Sequence, residues 1–179
     1  MSFGINYDDA ATGSDLLPKG DYEVVIKYAG EDATKGGTVY INVTMVIRND
    51  VDQQYKNKYI WHSIWQKKEP SAADIGCGGY SYKQIQSLSK AAGLPNGKKY
   101  ESLASWCEEL KDKVVRVTID HEEYKGEMQA RVKWVNESKF PQCSHAWKKA
   151  APDINPPAQT ETGADYTQVQ IDNNDDLPF

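Results

Sequence analysis

Residues 38–48 read Thr38-Val39-Tyr40-Ile41-Asn42-Val43-Thr44-Met45-Val46-Ile47-Arg48, and this stretch decides the fold class. Val39, Ile41, Val43, Met45 and Ile47 fall on one side and Tyr40, Asn42, Thr44, Val46 and Arg48 on the other. That is the period of two of a strand with one buried face. Lys35-Gly36-Gly37 supplies the turn in front of it.

The same period extends in both directions. Upstream, Asp21–Tyr28 places Tyr22, Val24, Ile26 and Tyr28 on one side, with Glu23, Val25 and Lys27 on the other. Downstream, Lys58–Gln66 places Ile60, His62 and Ile64 inward and Tyr59, Trp61, Ser63 and Trp65 outward. The pattern then breaks. Residues 66–80 read as a glycine-containing loop, and Ser81–Ala92 as a helix that starts at Ser81, is stopped by Gly93 and Pro95, and buries Ile85, Leu88 and Ala92. A second short helix follows Ser102, with Leu103, Trp106, Cys107 and Leu110 on one face. Two further strands, Lys113–His121 and Glu127–Asn136, are joined by a tight turn at Glu123-Tyr124-Lys125-Gly126. Val115, Val117 and Ile119 are expected to face inward, as are Met128, Ala130, Val132 and Trp134. Three strands, a helical insertion and a hairpin suit a mainly β fold, a five-stranded OB-like Greek-key barrel with its helices between strands 3 and 4. A sandwich or a plain meander barrel uses the same elements and stays open as an alternative.

A chain of 179 residues fits one such domain with a tail. Its longest apolar runs fall far short of the roughly 20 residues that cross a bilayer, and no basic-then-apolar leader is visible, so a cytoplasmic protein is expected. Cys77, Cys107 and Cys143 form no Cys-x-x-Cys unit and are expected to be free thiols. The net charge of -5 argues at first against a nucleic-acid partner, but the charge is unevenly spread. All 21 Lys and Arg lie at or before Lys149, while the residues beyond it carry six acids and no base. Between Lys19 and Lys149 the same 21 bases face 17 acids, so this body stands at +4. The expected division is therefore a domain over 1–149 and a disordered, proline-containing acidic tail over 150–179. Phe3, Ile5 and Tyr7 alternate near the start and could pair along a barrel edge.

Aromatic rings that stack on bases, beside cations that follow phosphates, are what binding of single strands requires; each stacked base contributes about 1–3 kcal/mol. Tyr40, Tyr59, Trp61 and Trp65 are expected on outward strand faces, with Arg48, Lys58 and Lys67 beside them; Lys68 is nearby. The final hairpin adds Arg116, Arg131 and Lys133 on its non-core side and Tyr124 at its tip. The competing reading makes these aromatics half-buried structural residues and the cations solvated surface charges. If most of the rings were merely structural, however, the outward faces would be unusually apolar for a soluble monomer.

The last five residues, Asp175-Asp176-Leu177-Pro178-Phe179, place two carboxylates beside an apolar pair, a form suited to inserting Phe179 into a pocket while the acids meet Lys or Arg at its rim. This segment resembles the acidic tip of bacterial single-stranded-DNA-binding proteins, with Asn174 in place of a first acid. That resemblance implies docking of replication, recombination or repair proteins on these five residues. The body, through Leu17-Pro18-Lys19-Gly20-Asp21-Tyr22-Glu23-Val24-Val25-Ile26, the Lys-Gly-Gly turn with its strand, Val114-Arg116-Val117 and Tyr124-Lys125-Gly126, resembles a family of bacteriophage single-stranded-DNA-binding proteins over about residues 16–136. It implies an OB fold, a phage replication or recombination setting inside a bacterial host cell, and no catalytic activity; it names no DNA-contacting residue. A homodimer and a monomer are both compatible with it.

Other function classes have thinner support. Asp50 with Asp52, or Glu122 with Glu123, could hold Mg²⁺ in a nuclease, but no third carboxylate is placed to complete either pair. Cys143 and His145 could begin a zinc site that lacks its remaining ligands. No cofactor or metal is expected. An adaptor whose barrel binds RNA or protein is the remaining alternative, since stacking alone does not separate RNA from DNA.

Overall fold

A computed structural model describes residues 16–147. The chain divides into two units, Met1–Ala146 and Trp147–Phe179. The first contains every element below. The expected tail, the Asp175–Phe179 tip and the Phe3/Ile5/Tyr7 alternation lie outside the described residues.

Five strands, β1 (Gly20–Ala33), β2 (Val39–Ile47), β3 (Tyr59–Trp65), β4 (Val114–Tyr124) and β5 (Glu127–Glu137), form one antiparallel sheet in the order β3-β2-β1-β4-β5. The first three make a meander. The fourth returns beside β1, which is the Greek-key arrangement. The return is made by three helices between β3 and β4: α1 (Ala72–Ile75), α2 (Tyr82–Ala91) and α3 (Leu103–Leu110). Fold class and insertion point agree with the sequence reading. The closed barrel is corrected in one respect: β3 and β5 approach each other, but the ladder ends at each of them, so the ring is not closed by hydrogen bonds.

The core lies on one side of the sheet. Val24 and Ile26 of β1, Ile41, Val43, Met45 and Ile47 of β2, Ile60 and Ile64 of β3, and Val115, Val117 and Ile119 of β4 form one buried cluster with Ile85, Leu88, Trp106 and Leu110 of the helices. α3 packs on β1 and α2 on β5. Ser102 caps α3 through a reciprocal pair with Ser105. The loop expected at 66–80 contains α1, whose Ser71 and Asp74 cap each other; Asp74 is buried and also accepts from the Tyr82 amide, fixing the start of α2. The hairpin turn has positive φ at both Lys125 (52°) and Gly126 (83°), the backbone of a two-residue turn matched to strand twist. Among the described residues no helix is long and apolar enough to cross a membrane.

Two irregularities overturn the expected alternation. In β1 the register shifts between Ile26 and Tyr28, so that Ile26 pairs with Met45 and Tyr28 with Thr44, and Lys27 is the extra residue of a bulge. Ala29 becomes the buried residue and Tyr28, expected inside, is exposed. In β5 Val132 pairs with Ile119 but Trp134 pairs with Thr118, so Lys133 is extra and Trp134, also expected inside, is 62% exposed while Val135 packs on the core. Met128 is exposed as well, beside the hairpin turn.

Candidate functional site

The outward face of β3 carries Tyr59, Trp61 and Trp65, all exposed, with Trp61 at 64%. Their spacing of two residues puts them on one side of the strand, opposite Ile60, His62 and Ile64. Register extends the strip across the sheet: Trp65 pairs with Tyr40, which pairs with Asp32, and Trp61 pairs with Thr44, which pairs with Tyr28. The bulge therefore brings a ring from β1 into the row of Trp61. Tyr28 lies back along its own strand, and a Cβ at Gly30 would fall on its hydroxyl end, so glycine leaves the space that the ring occupies.

The rings are arranged in two pairs. Tyr59 and Trp61 have centroids 6.0 Å apart and planes only 19° from parallel. That separation is comparable to two base steps of about 3.4 Å each. Tyr40 packs against Trp65 at 4.7 Å and its hydroxyl donates to Asp32; burial, and then the Asp32 carboxylate, push the phenol's pKa up. Tyr40 is thus held half-buried behind Trp65, and Trp65 is the exposed member of the pair. Lys27, the bulge residue, donates to the Tyr59 hydroxyl at 2.6 Å, so its ammonium approaches from that end of the ring. Lys58 stands 5.8 Å from the ring centre of Tyr55.

Beside β3 a cleft of about 770 Å³ runs between the facing ends of β3 and β5. Lys58, Tyr59 and Trp61 line one wall and Gln129 and Arg131 the other. Four of the residues singled out from the sequence, Lys58, Tyr59, Trp61 and Arg131, are thereby brought together. Arg131 is exposed, and its guanidinium donates to Gln129 of its own strand. Tyr124 sits exposed at the hairpin tip with Lys125 5.3 Å from its ring centre.

Arg48 is a correction. Expected to point outward as a phosphate contact, it is 1% exposed. Nε and Nη2 bind both oxygens of Asp50 at 2.9 and 2.6 Å, and Nη1 and Nη2 donate to the carbonyls of Phe140 and Gln142. The guanidinium's hydrogen bonds hold the Asp50 carboxyl down to about 2, and Asp50 in turn raises the Arg48 pKa. The arginine is the hub of a strap: after β5, residues 138–146 fold back over the outward side of β1 and the loop after β2. Ser138 and the Lys139 amide bind the buried Glu23 carboxylate, the Ser144 amide donates to Asp50, and Asn49 exchanges two bonds with Ala146. Asp50, one candidate metal ligand, is thus fully engaged.

Three other predicted phosphate contacts are paired within the fold. Lys67 binds Asp74 at 2.8 Å and helps lower its pKa, Lys133 shares Asp120 with Lys19, and Arg116 binds Asp21 at 2.5 Å. Among the described residues no three His, Cys, Asp or Glu side chains are grouped to hold a metal ion. Sequence reasoning missed Tyr28, Lys27 and Trp134. The signal for Trp134 was present in Val132 and Val135: two core residues three apart in a strand require an extra residue between them.

Residues 5–152 match the model of a family described as a protein of unknown function (DUF669), and the chain belongs to that family. No curated protein matches it.

Proposed function

We propose that this family member binds single-stranded DNA by laying bases on the exposed rings of β1 and β3, with phosphates met by Lys58 and Arg131 across the neighbouring cleft. The Asp175–Phe179 tip, which resembles that of bacterial single-stranded-DNA-binding proteins, would recruit replication, recombination or repair proteins. The observation that carries the reading is the strip of Tyr28, Tyr59, Trp61 and Trp65, large rings left open to solvent on one continuous sheet face. Exposed tryptophan gains nothing in water, and flat rings beside cations match the stacking and phosphate chemistry of unpaired nucleotides. Base stacking does not choose between DNA and RNA. The resemblance of the body to phage single-stranded-DNA-binding proteins is the reason for naming DNA.

Tryptophan fluorescence titrated with oligo-dT, oligo-rU and duplex over a salt series tests the reading. Quenching that saturates with oligo-dT, is weaker with duplex, and declines as salt rises is expected. No binding of oligo-dT at low salt would overturn it; tighter binding of oligo-rU would reassign it to RNA. Deleting Asp175–Phe179 should abolish capture of replication proteins while leaving oligo-dT affinity in place, and unchanged capture would refute the role given to the tip.

A further inference from the structure

β1 and β5 carry the same irregularity. In each, a lysine is the extra residue of a bulge and the ring after it is turned outward: Lys27 precedes Tyr28, and Lys133 precedes Trp134. Unbroken alternation would have put both rings on the core side, behind Val24 and Ile26 in β1 and behind Ala130 and Val132 in β5. A bulge disrupts the ladder locally and re-aims a side chain. In β1 the re-aimed ring joins the row of Trp61.

Trp134 has none of the features of a structural tryptophan. Trp106 has them: it is buried and donates its indole N–H to Ser89. Among the described residues the Trp134 indole makes no hydrogen bond and stacks on no other ring. Trp134 pairs with Thr118, between the core residues Val117 and Ile119, so it stands on the outer side of the sheet. Arg131, which pairs with Asp120, stands on that side too. The bulge that turns the ring out is anchored, because Lys133 binds Asp120 at 2.9 Å.

This surface is continuous with the cleft. Arg131 lines the cleft opposite Trp61. Every neighbouring pair in the ladder is antiparallel, so β3 and β5 run in the same direction, and their Cα atoms come within 8 Å. From Arg131 to Trp134 is a further run of about 10 Å along β5. The whole path from Trp61 comes to about five stacked nucleotide steps of 3.4 Å. Charge along it suits a polyanion. Lys19 and Lys133 share the one carboxylate of Asp120, which leaves a positive charge over, and the Arg131 guanidinium donates to the neutral Gln129. Arg116 and Asp21 cancel, and Glu122, which pairs with Gln129, lies nearer the turn.

We propose that Trp134 is a further base-stacking residue, reached by a single strand that crosses the cleft from Trp61 by way of Arg131. Such a path rests on the nucleic-acid reading and extends that site from β3 onto β5. Arg131 meets a phosphate between the two rings, while Lys133, held by Asp120, anchors the bulge and not the ligand.

Oligo-dT carrying iododeoxyuridine is irradiated with the full chain, and the cross-linked residues are found by mass spectrometry. Cross-links at both Trp61 and Trp134 are expected. Affinities for oligo-dT of about 4 and about 16 nucleotides, the range that one OB fold covers, are then compared. Trp134→Ala should weaken the longer ligand by about tenfold or more and the shorter by less than about twofold, whereas Trp61→Ala should weaken both. Trp134→Phe, which keeps a ring, should restore most of the longer ligand's affinity. Binding of the longer ligand without a cross-link at Trp134 overturns the inference and leaves the β3 rings standing, even if Trp134→Ala fails to fold. Unchanged affinity in a folded Trp134→Ala does the same. A mass that halves in that variant by light scattering, with affinity unchanged, assigns the ring to a second copy of the chain and also overturns it. A parent protein that ignores oligo-dT altogether removes the nucleic-acid reading as well.

Discussion

The outward side of the sheet has two halves built by the same strand alternation and put to opposite uses. Around β1 and the end of β2, Glu23, Val25, Val46 and Arg48 all project outward and all are buried, sealed by the strap of 138–146 and the loop after β2. Along β3, Tyr59, Trp61 and Trp65 project the same way and stand open. Direction of projection does not therefore decide exposure. What decides it is whether a distant part of the chain returns to cover the face.

The sharpest way to break this comparison is to empty the sealed half. Arg48→Ala leaves the Asp50 carboxylate and the Phe140 and Gln142 carbonyls without their partner, and should cost about 3–5 kcal/mol in urea unfolding. Retained stability with lost oligo-dT affinity would place Arg48 in the open half instead. Next in size is the open half itself. Trp61→Ala should weaken oligo-dT binding by about 1–3 kcal/mol and leave the urea midpoint within about 0.5 kcal/mol of the parent. Large destabilisation would make that ring structural.

A smaller effect separates the two sides of β3. His62 faces inward beside Trp61, and burial pushes its pKa down to about 4. The unfolded chain takes up the proton first, so stability present above about pH 6.5 is lost as pH falls toward about 4. By pH 5 the loss should be about 2 kcal/mol, and His62→Leu should flatten that part of the pH profile. Smallest is the difference among cations. Lys58→Gln should lower the slope of log affinity against log salt by about one. Lys133→Gln, which removes an exposed partner of Asp120, should leave the slope unchanged and alter stability by less than about 1 kcal/mol. Equal slopes for both variants would remove Lys58 from the proposed path.

The sequence was most legible where pairing is regular. Residues 38–48 and 58–66 each read correctly in face and in approximate limits, because unbroken alternation against a core leaves one solution. Tyr28 and Trp134 were misassigned because one inserted residue exchanges the faces, and no side chain near Lys27 announces the bulge. α1 was legible in part: Ser71-Ala72-Ala73-Asp74 is a capping pattern, hidden by the glycines after it. The burial of Arg48 could not be read. Its partners Phe140 and Gln142 lie more than 90 positions away and contribute backbone carbonyls, which leave no trace in residue identity.

The strap also sets where this domain can be cut. Judged by its last strand, the fold ends at Glu137, and the nine residues that follow look like the beginning of a linker. A shortened protein stopping there would strand two buried ions of opposite sign, Glu23 and Arg48, each robbed of its neutral donors or acceptors, and would be expected to precipitate. One that runs on to Ala146 keeps the clasp intact, so the useful trimming point is set by the last bond to Asn49 and not by the end of the ladder.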